Sequence, residues 1–204
     1  MIIKVCGMTR PEDVKFCDQC GIDLLGFIFH PQSPRNVSVD WAASQKPKRA
    51  LKVGVFVHQD TQEIAAIADR AGLDLLQLHG SQTPQQCLAL GPDRVIKALW
   101  PQRYEDMAAL EADMEVYAPV CRALLFDSGL AGGGHGQQLD ISRLEKLSPG
   151  WTWYLAGGLG PHNLMQVKDS GASGFDLNSG LESAPGIKDH GKIEQAYNLL
   201  RGNS

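Results

Sequence analysis

A chain of 204 residues has room for one domain with a substantial core, and 43% hydrophobic with 21% charged residues is ordinary for a globular fold. A net charge of −4 supplies no basic face for nucleic acid or an anionic membrane. No apolar stretch reaches the roughly 20 residues that span a bilayer, and no secretion signal is seen, so a cytoplasmic location with reduced thiols is expected.

The first predicted element is the apolar run 2–5, which ends in Cys6 and is followed by Gly7 and the turn-forming Thr9-Arg10-Pro11. It reads as a buried strand delivering one nucleophilic or basic atom to its end, with a glycine where a ligand can approach the backbone. Pro11 stands just inside a helix start. Cys17 and Cys20 lie three positions apart on that helix as Cys-x-x-Cys, but no second pair and no His-x3–5-His accompany them. They read as helix thiols in preference to a redox pair or half a zinc site, and no metal is expected.

Further short apolar runs follow at 24–29, 51–57, 74–78, 94–99, 123–126, 152–156 and 174–177. Several are nearly continuous, as parallel strands buried on both faces are. Between two of them, Ile64, Ala65, Ile67, Ala68 and Ala71 mark one face of a helix over 61–71, started at Asp60-Thr61 and stopped by Gly72. Pro84 and Pro161 are placed just inside two more helix starts. Eight strand signals, each followed by a helix signal, predict an α/β fold, a single-domain (β/α)8 TIM barrel over 1–204. An open doubly wound sheet is the rival, but the first strand-to-helix turn is Cys-Gly-Met-Thr and not a G-x-G-x-x-G loop.

Barrel enzymes place their chemistry at the C-terminal strand ends. Cys6 falls at the end of the first strand and Asp127 at the end of the sixth, opening the glycine-rich segment Asp127–Leu139. Singly, Cys6 reads equally as a small core residue and Asp127 as a turn cap. Together they point to acid–base chemistry on a small molecule. As a base, Cys6 needs either a lowered pKa or a small working thiolate fraction. The glycine-rich turns at Gly157-Gly158 and Ser179-Gly180 follow strands seven and eight, where barrels commonly bind phosphate. Arg35, in a proline-bracketed loop, suits bidentate capture of a carboxylate, with a solvated surface arginine as the open alternative. His79 ends the fourth strand and lines the mouth or serves structurally. Strand alternation turns Lys4 inward with Cys6, and Asp176 inward on the eighth strand, which predicts a Lys4–Asp176 pair inside the barrel.

The motifs Lys4-Val5-Cys6-Gly7-Met8-Thr9, Gly26–Arg35, Gln77-Leu78-His79-Gly80, Leu155–Leu159, Asn178–Glu182 and Pro185–Asp189, in that order, closely resemble the phosphoribosylanthranilate isomerase family. The resemblance covers essentially the whole chain. It implies the conversion of N-(5-phosphoribosyl)anthranilate to 1-(2-carboxyphenylamino)-1-deoxyribulose 5-phosphate in tryptophan biosynthesis, an Amadori rearrangement without metal or cofactor. It implies Asp127 as the general acid on the ring oxygen, Cys6 as the general base at C2, Arg35 at the anthranilate carboxylate, and the loops at 157–158 and 179–180 at the phosphate. The chain departs from the commonest family pattern at His30 and at His135. The implied partner is a small phosphorylated substrate; monomer and homodimer both remain open. A barrel that binds such a ligand without turnover is the competing reading, and it leaves Cys6 and Asp127 without a task.

Overall fold

The structure, a computed structural model, describes residues 1–127 and 150–202. Eight parallel strands, β1 (Ile2–Val5), β2 (Leu24–Ile28), β3 (Leu51–Phe56), β4 (Leu75–Leu78), β5 (Val95–Leu99), β6 (Ala123–Asp127), β7 (Trp153–Ala156) and β8 (Gly174–Leu177), close into a barrel in sequence order. The closure pairs Lys4 with Asp176 and Val5 with Leu177. Each strand lies within about a residue of its expected position, because a run buried on both faces is apolar at most of its steps.

The alternation of the pleat divides the core in two. Leu24, Val53, Leu75, Ile96, Leu125 and Tyr154 fill the barrel. Their neighbours Ile3, Val5, Leu25, Phe27, Leu76 and Leu124 pack outward against the helices. Lys52 faces that outer layer and donates to the Ala42 carbonyl at 2.5 Å and the Ala71 carbonyl at 2.6 Å, satisfying acceptors at the ends of two helices.

The helices Pro11–Cys20, Val39–Ser44, Thr61–Ala71, Pro84–Leu90 and Met107–Tyr117 are α1 to α5. As expected, Asp60 caps α3 by accepting from the Glu63 N–H at 2.8 Å, and Gly72 closes it at φ 62°. Pro11 and Pro84 open α1 and α4. Pro161 does not open a helix. It lies in a turn in which Asn163 Oδ1 accepts from the Gly160 N–H at 2.9 Å, and the helical turn Leu164–Val167 begins only afterwards. Cys17 and Cys20 are free thiols on α1. His135 and the rest of the Asp127–Leu139 segment after Asp127 lie outside the described residues.

After β8 the chain forms a small antiparallel hairpin, β9 (Glu182–Ala184) and β10 (Ile187–Lys188), before the last helix, His190–Arg201. The hairpin sits at the C-terminal end of the barrel and supplies two charged groups to the rim. Among the described residues no helix is long and apolar enough to cross a membrane.

Candidate active site

Cys6 leaves the end of β1 with its N–H donating to the Leu177 carbonyl at 2.8 Å, and the turn beyond it is tied by the Met8 N–H to the Gly26 carbonyl at 2.9 Å. Two glycines make room for this arrangement. Gly7 has φ 75°, and a Cβ there would stand 2.7 Å from both Arg35 Cδ and Asn178 Oδ1. Gly26, inward-facing on β2, would place a Cβ 2.6 Å from Cys6 Sγ. The sulfur occupies space that any other residue at 26 would fill.

Lys4, two positions before Cys6, points the same way. Its Nζ donates to Asp176 Oδ2 at 2.7 Å, with Lys4 1% and Asp176 7% exposed, so the expected interior pair is present. The ammonium also acts electrostatically on the Cys6 side chain. Burial pushes the Cys6 thiol up, Lys4 pulls it down and Asp176 pushes it up again, leaving it above the ordinary thiol value. Burial depresses Lys4, but Asp176 and Cys6 more than reverse that, and its pKa ends raised. Of the two conditions set for Cys6 as a base, the free enzyme therefore meets the second: a small thiolate fraction of a strongly basic sulfur.

Asp127 closes β6, and His79 follows β4 with its Nε2 3.5 Å from Asp127 Oδ2. The imidazole is oriented from two sides. Gln77 Nε2 lies 3.2 Å from its Nδ1, and Trp100 meets it edge-on with centroids 5.1 Å apart. Cys6, Asp127 and His79 line one cavity of about 420 Å³ at the C-terminal mouth, together with His30, Gly157, Gly158, Asp176, Asn178 and Ser179. That volume lies within the range of small-molecule sites.

Gly157 and Gly158 turn at φ 107° and 62°. Gly180 lines an adjoining recess of about 510 Å³ with Ser179, His162 and Lys192. The two glycine loops meet backbone to backbone: a Cβ on Gly180 would stand 2.1 Å from the Leu159 carbonyl oxygen. Gly157, Gly158 and Ser179 thus share the cavity with Asp127 and Cys6, while Gly180 stands one position outside it.

Arg35 is not among the cavity-lining residues. Its Nε and Nη2 form a fork on Glu182, at 2.8 Å to Oε1 and 2.5 Å to Oε2. Glu182 also accepts from Lys188 Nζ at 2.9 Å, and Lys188 reaches Asn178 Oδ1 at the same distance. Burial pushes the Glu182 carboxyl up, but hydrogen bonds from Arg35 and Lys188 outweigh it and hold the group below its ordinary value. The sequence gives Glu182, Lys188 and Gln77 no role of their own, and Asn178 only a place in the glycine turn after β8. Gln77 carried one signal, since it precedes His79 by two positions on an inward-facing register; Glu182 and Lys188 follow from the hairpin, which no periodicity announced.

Comparison with known proteins extends the geometry. The family model for N-(5′-phosphoribosyl)anthranilate (PRA) isomerase matches residues 3–198. The N-(5′-phosphoribosyl)anthranilate isomerase of Maridesulfovibrio salexigens is 46% identical over 198 residues, covering 97% of each chain. The crystal structure of phosphoribosyl anthranilate isomerase from Thermotoga maritima superposes with a TM-score of 0.86 at 29% identity, over 99% of this chain and 100% of that one. A phosphoribosyl anthranilate isomerase in complex with reduced 1-(o-carboxyphenylamino)-1-deoxyribulose 5-phosphate superposes with a TM-score of 0.81 at 28% identity, covering 99% of this chain and 100% of the other.

Proposed function

The chain belongs to the N-(5′-phosphoribosyl)anthranilate isomerase family, and from that premise we propose that Cys6 and Asp127 are the general base and general acid of its reaction. The enzyme isomerises N-(5′-phosphoribosyl)anthranilate in tryptophan biosynthesis. One observation carries the residue assignment: a thiol from β1 and a carboxyl from β6 face a single cavity of about 420 Å³.

Asp127, in its protonated form, gives its proton to the furanose ring oxygen, and the ring opens to a Schiff base between C1 and the anthranilate nitrogen. Cys6 thiolate then removes the C2 proton, and the electron pair moves into a C1–C2 double bond, leaving an enolamine that becomes the ketone. Burial makes the sulfur a scarce but strong base, and the Schiff base is a strong electron sink for the C2 carbanion. His79, 3.5 Å from the Asp127 carboxyl, holds it toward the cavity. Positioned acids and bases of this kind each contribute about 10²–10⁴-fold.

The two ends of the substrate are anions. We assign the phosphate to the loops at Gly157-Gly158 and Ser179-Gly180; in the first, two positive-φ glycines let an anion approach the backbone. We assign the anthranilate carboxylate to Arg35. Glu182 occupies the Nε–Nη2 edge of that guanidinium, so the substrate takes the Nη1 side while Glu182 fixes the plane.

The experiment is a steady-state assay of Cys6→Ser and Asp127→Asn. Each is expected to lose about 10²-fold or more in kcat with an unchanged fold. Near wild-type rates in both variants would overturn the assignment.

A further inference from the structure

Two buried acceptors in the cavity accept no hydrogen bond among the described residues: Asp176 Oδ1 and Gln77 Oε1, on residues 7% and 2% exposed. A buried acceptor left unmade costs about 1–3 kcal/mol, so such atoms mark where a ligand's donors arrive. Asp176 is the more telling of the two. Its Oδ2 is held by Lys4 at 2.7 Å, and Lys4 stands two positions before Cys6 on the same inward-facing register. The ion pair therefore fixes the carboxylate at the wall of the cavity that Cys6 also lines. Gln77 can only receive a hydroxyl; a carboxylate can also remove its proton.

The reaction needs such a group. Once C2 has lost its proton, the enolamine carries a hydroxyl on C2. Reaching the ketone requires that hydroxyl to give up its proton while C1 gains one. Cys6, which has just become a thiol, cannot be proton donor to C1 and acceptor from the hydroxyl at once.

Resting on the assignment of Cys6 as the base, we infer that Asp176 accepts, through Oδ1, the hydroxyl on the carbon that Cys6 deprotonates and takes its proton as the enolamine becomes the ketone. The O–H electron pair becomes the second C2–O bond, and the C1–C2 π pair takes a proton at C1 from the Cys6 thiol. The substrate has then lost a proton from C2 and one from the hydroxyl, and gained one at C1 and one at the former ring oxygen. The proton on Asp176 returns through water to Asp127, which donated the first. The cycle closes with no oxidant, reductant or metal.

The test runs the reaction in D2O with Asp176→Asn. Product formation and deuterium at C2 of the remaining substrate are followed together by mass spectrometry. If Asp176 takes the hydroxyl proton, turnover falls by about 100-fold, while the enolamine still forms and returns to substrate, so C2 deuterium accumulates per product formed far above the wild-type ratio. Turnover within about threefold of wild type, or exchange and turnover lost in parallel, overturns the inference. Because Asp176→Asn leaves the Lys4 ammonium without a counter-ion, Lys4→Gln/Asp176→Asn, which removes both charges, is measured alongside and is expected to show the same split. Cys6→Ser separates the premise: it should abolish exchange as well as turnover, and exchange persisting there would sink the base assignment irrespective of Asp176.

Discussion

Lys4 Nζ and Asp176 Oδ2 stand 2.7 Å apart on adjacent, directly registered positions of β1 and β8, both enclosed by the barrel. Neither charge can leave the interior without the other. Lys4→Met should therefore strand a buried carboxylate and cost about 3–5 kcal/mol in urea unfolding, whereas Lys4→Met/Asp176→Leu should recover most of that loss. An additive double variant would mean that the two groups are not coupled.

That pair was legible in the sequence because two strong rules met on it: side chains alternate along a strand, and a buried charge needs a partner. The eight strands were legible for a similar reason, since a run enclosed on both faces has few polar positions to blur it. The Arg35–Glu182–Lys188 network was not. Arg35 and Glu182 lie 147 positions apart, and Glu182 reaches the rim on a hairpin whose strands, Glu182–Ala184 and Ile187–Lys188, are too short to show a period. Arg35 consequently read as a free cation, when in the structure half of its fork is taken. Pro161 misled because its ring suits a turn as well as a helix start, and the Asn163 side chain selects the turn.

Gly26 links the register of two strands to the chemistry. A Cβ there would stand 2.6 Å from Cys6 Sγ and 2.9 Å from the Cys6 Cα, and the latter is backbone that cannot rotate away. Gly26→Ala should displace the thiol, lowering kcat by about tenfold or more, and destabilise the fold by about 1–3 kcal/mol. Gly72→Ala is the control. With φ 62° and nothing within 4 Å of its Cβ, it should cost about 1 kcal/mol of stability and leave kcat unchanged. Equal kcat in the two variants would exclude a steric role for Gly26.

Arg35 and Glu182 make distinguishable predictions. Arg35→Ala should raise KM about tenfold or more with a smaller change in kcat, as expected for loss of a contact made equally in ground and transition states. An unchanged KM would place the carboxylate elsewhere. Glu182 is held below its ordinary value of 4.5, so its contribution to stability is fully present above about pH 4.5 and is lost as pH falls through the lower folded value. Thermal melts across that acid window should show wild-type stability declining, with Glu182→Gln less stable at neutral pH but declining less steeply. Parallel curves would mean that Glu182 does not titrate on unfolding.

The thiol of Cys6 gives the sharpest pH signature, because its surroundings pull in opposite directions. Burial raises its pKa above the ordinary thiol value, Lys4 opposes the rise and Asp176 adds to it. Alkylation of Cys6 by iodoacetamide, read by peptide mapping, should therefore still be accelerating above pH 9, while the urea-unfolded chain levels off near its reference value of about 8.5. If it is the base in turnover, the same group should make kcat/KM climb with pH through neutrality. Removing one neighbour at a time fixes the signs. Lys4→Met takes away the group that opposes the rise and should shift the alkylation profile to still higher pH. Asp176→Asn takes away a charge that adds to it and should shift the profile lower, exposing more thiolate at pH 8. If Asp176→Asn gains thiolate and still loses turnover, Asp176 acts on the substrate and not merely on the sulfur, since tuning alone would have made that variant faster.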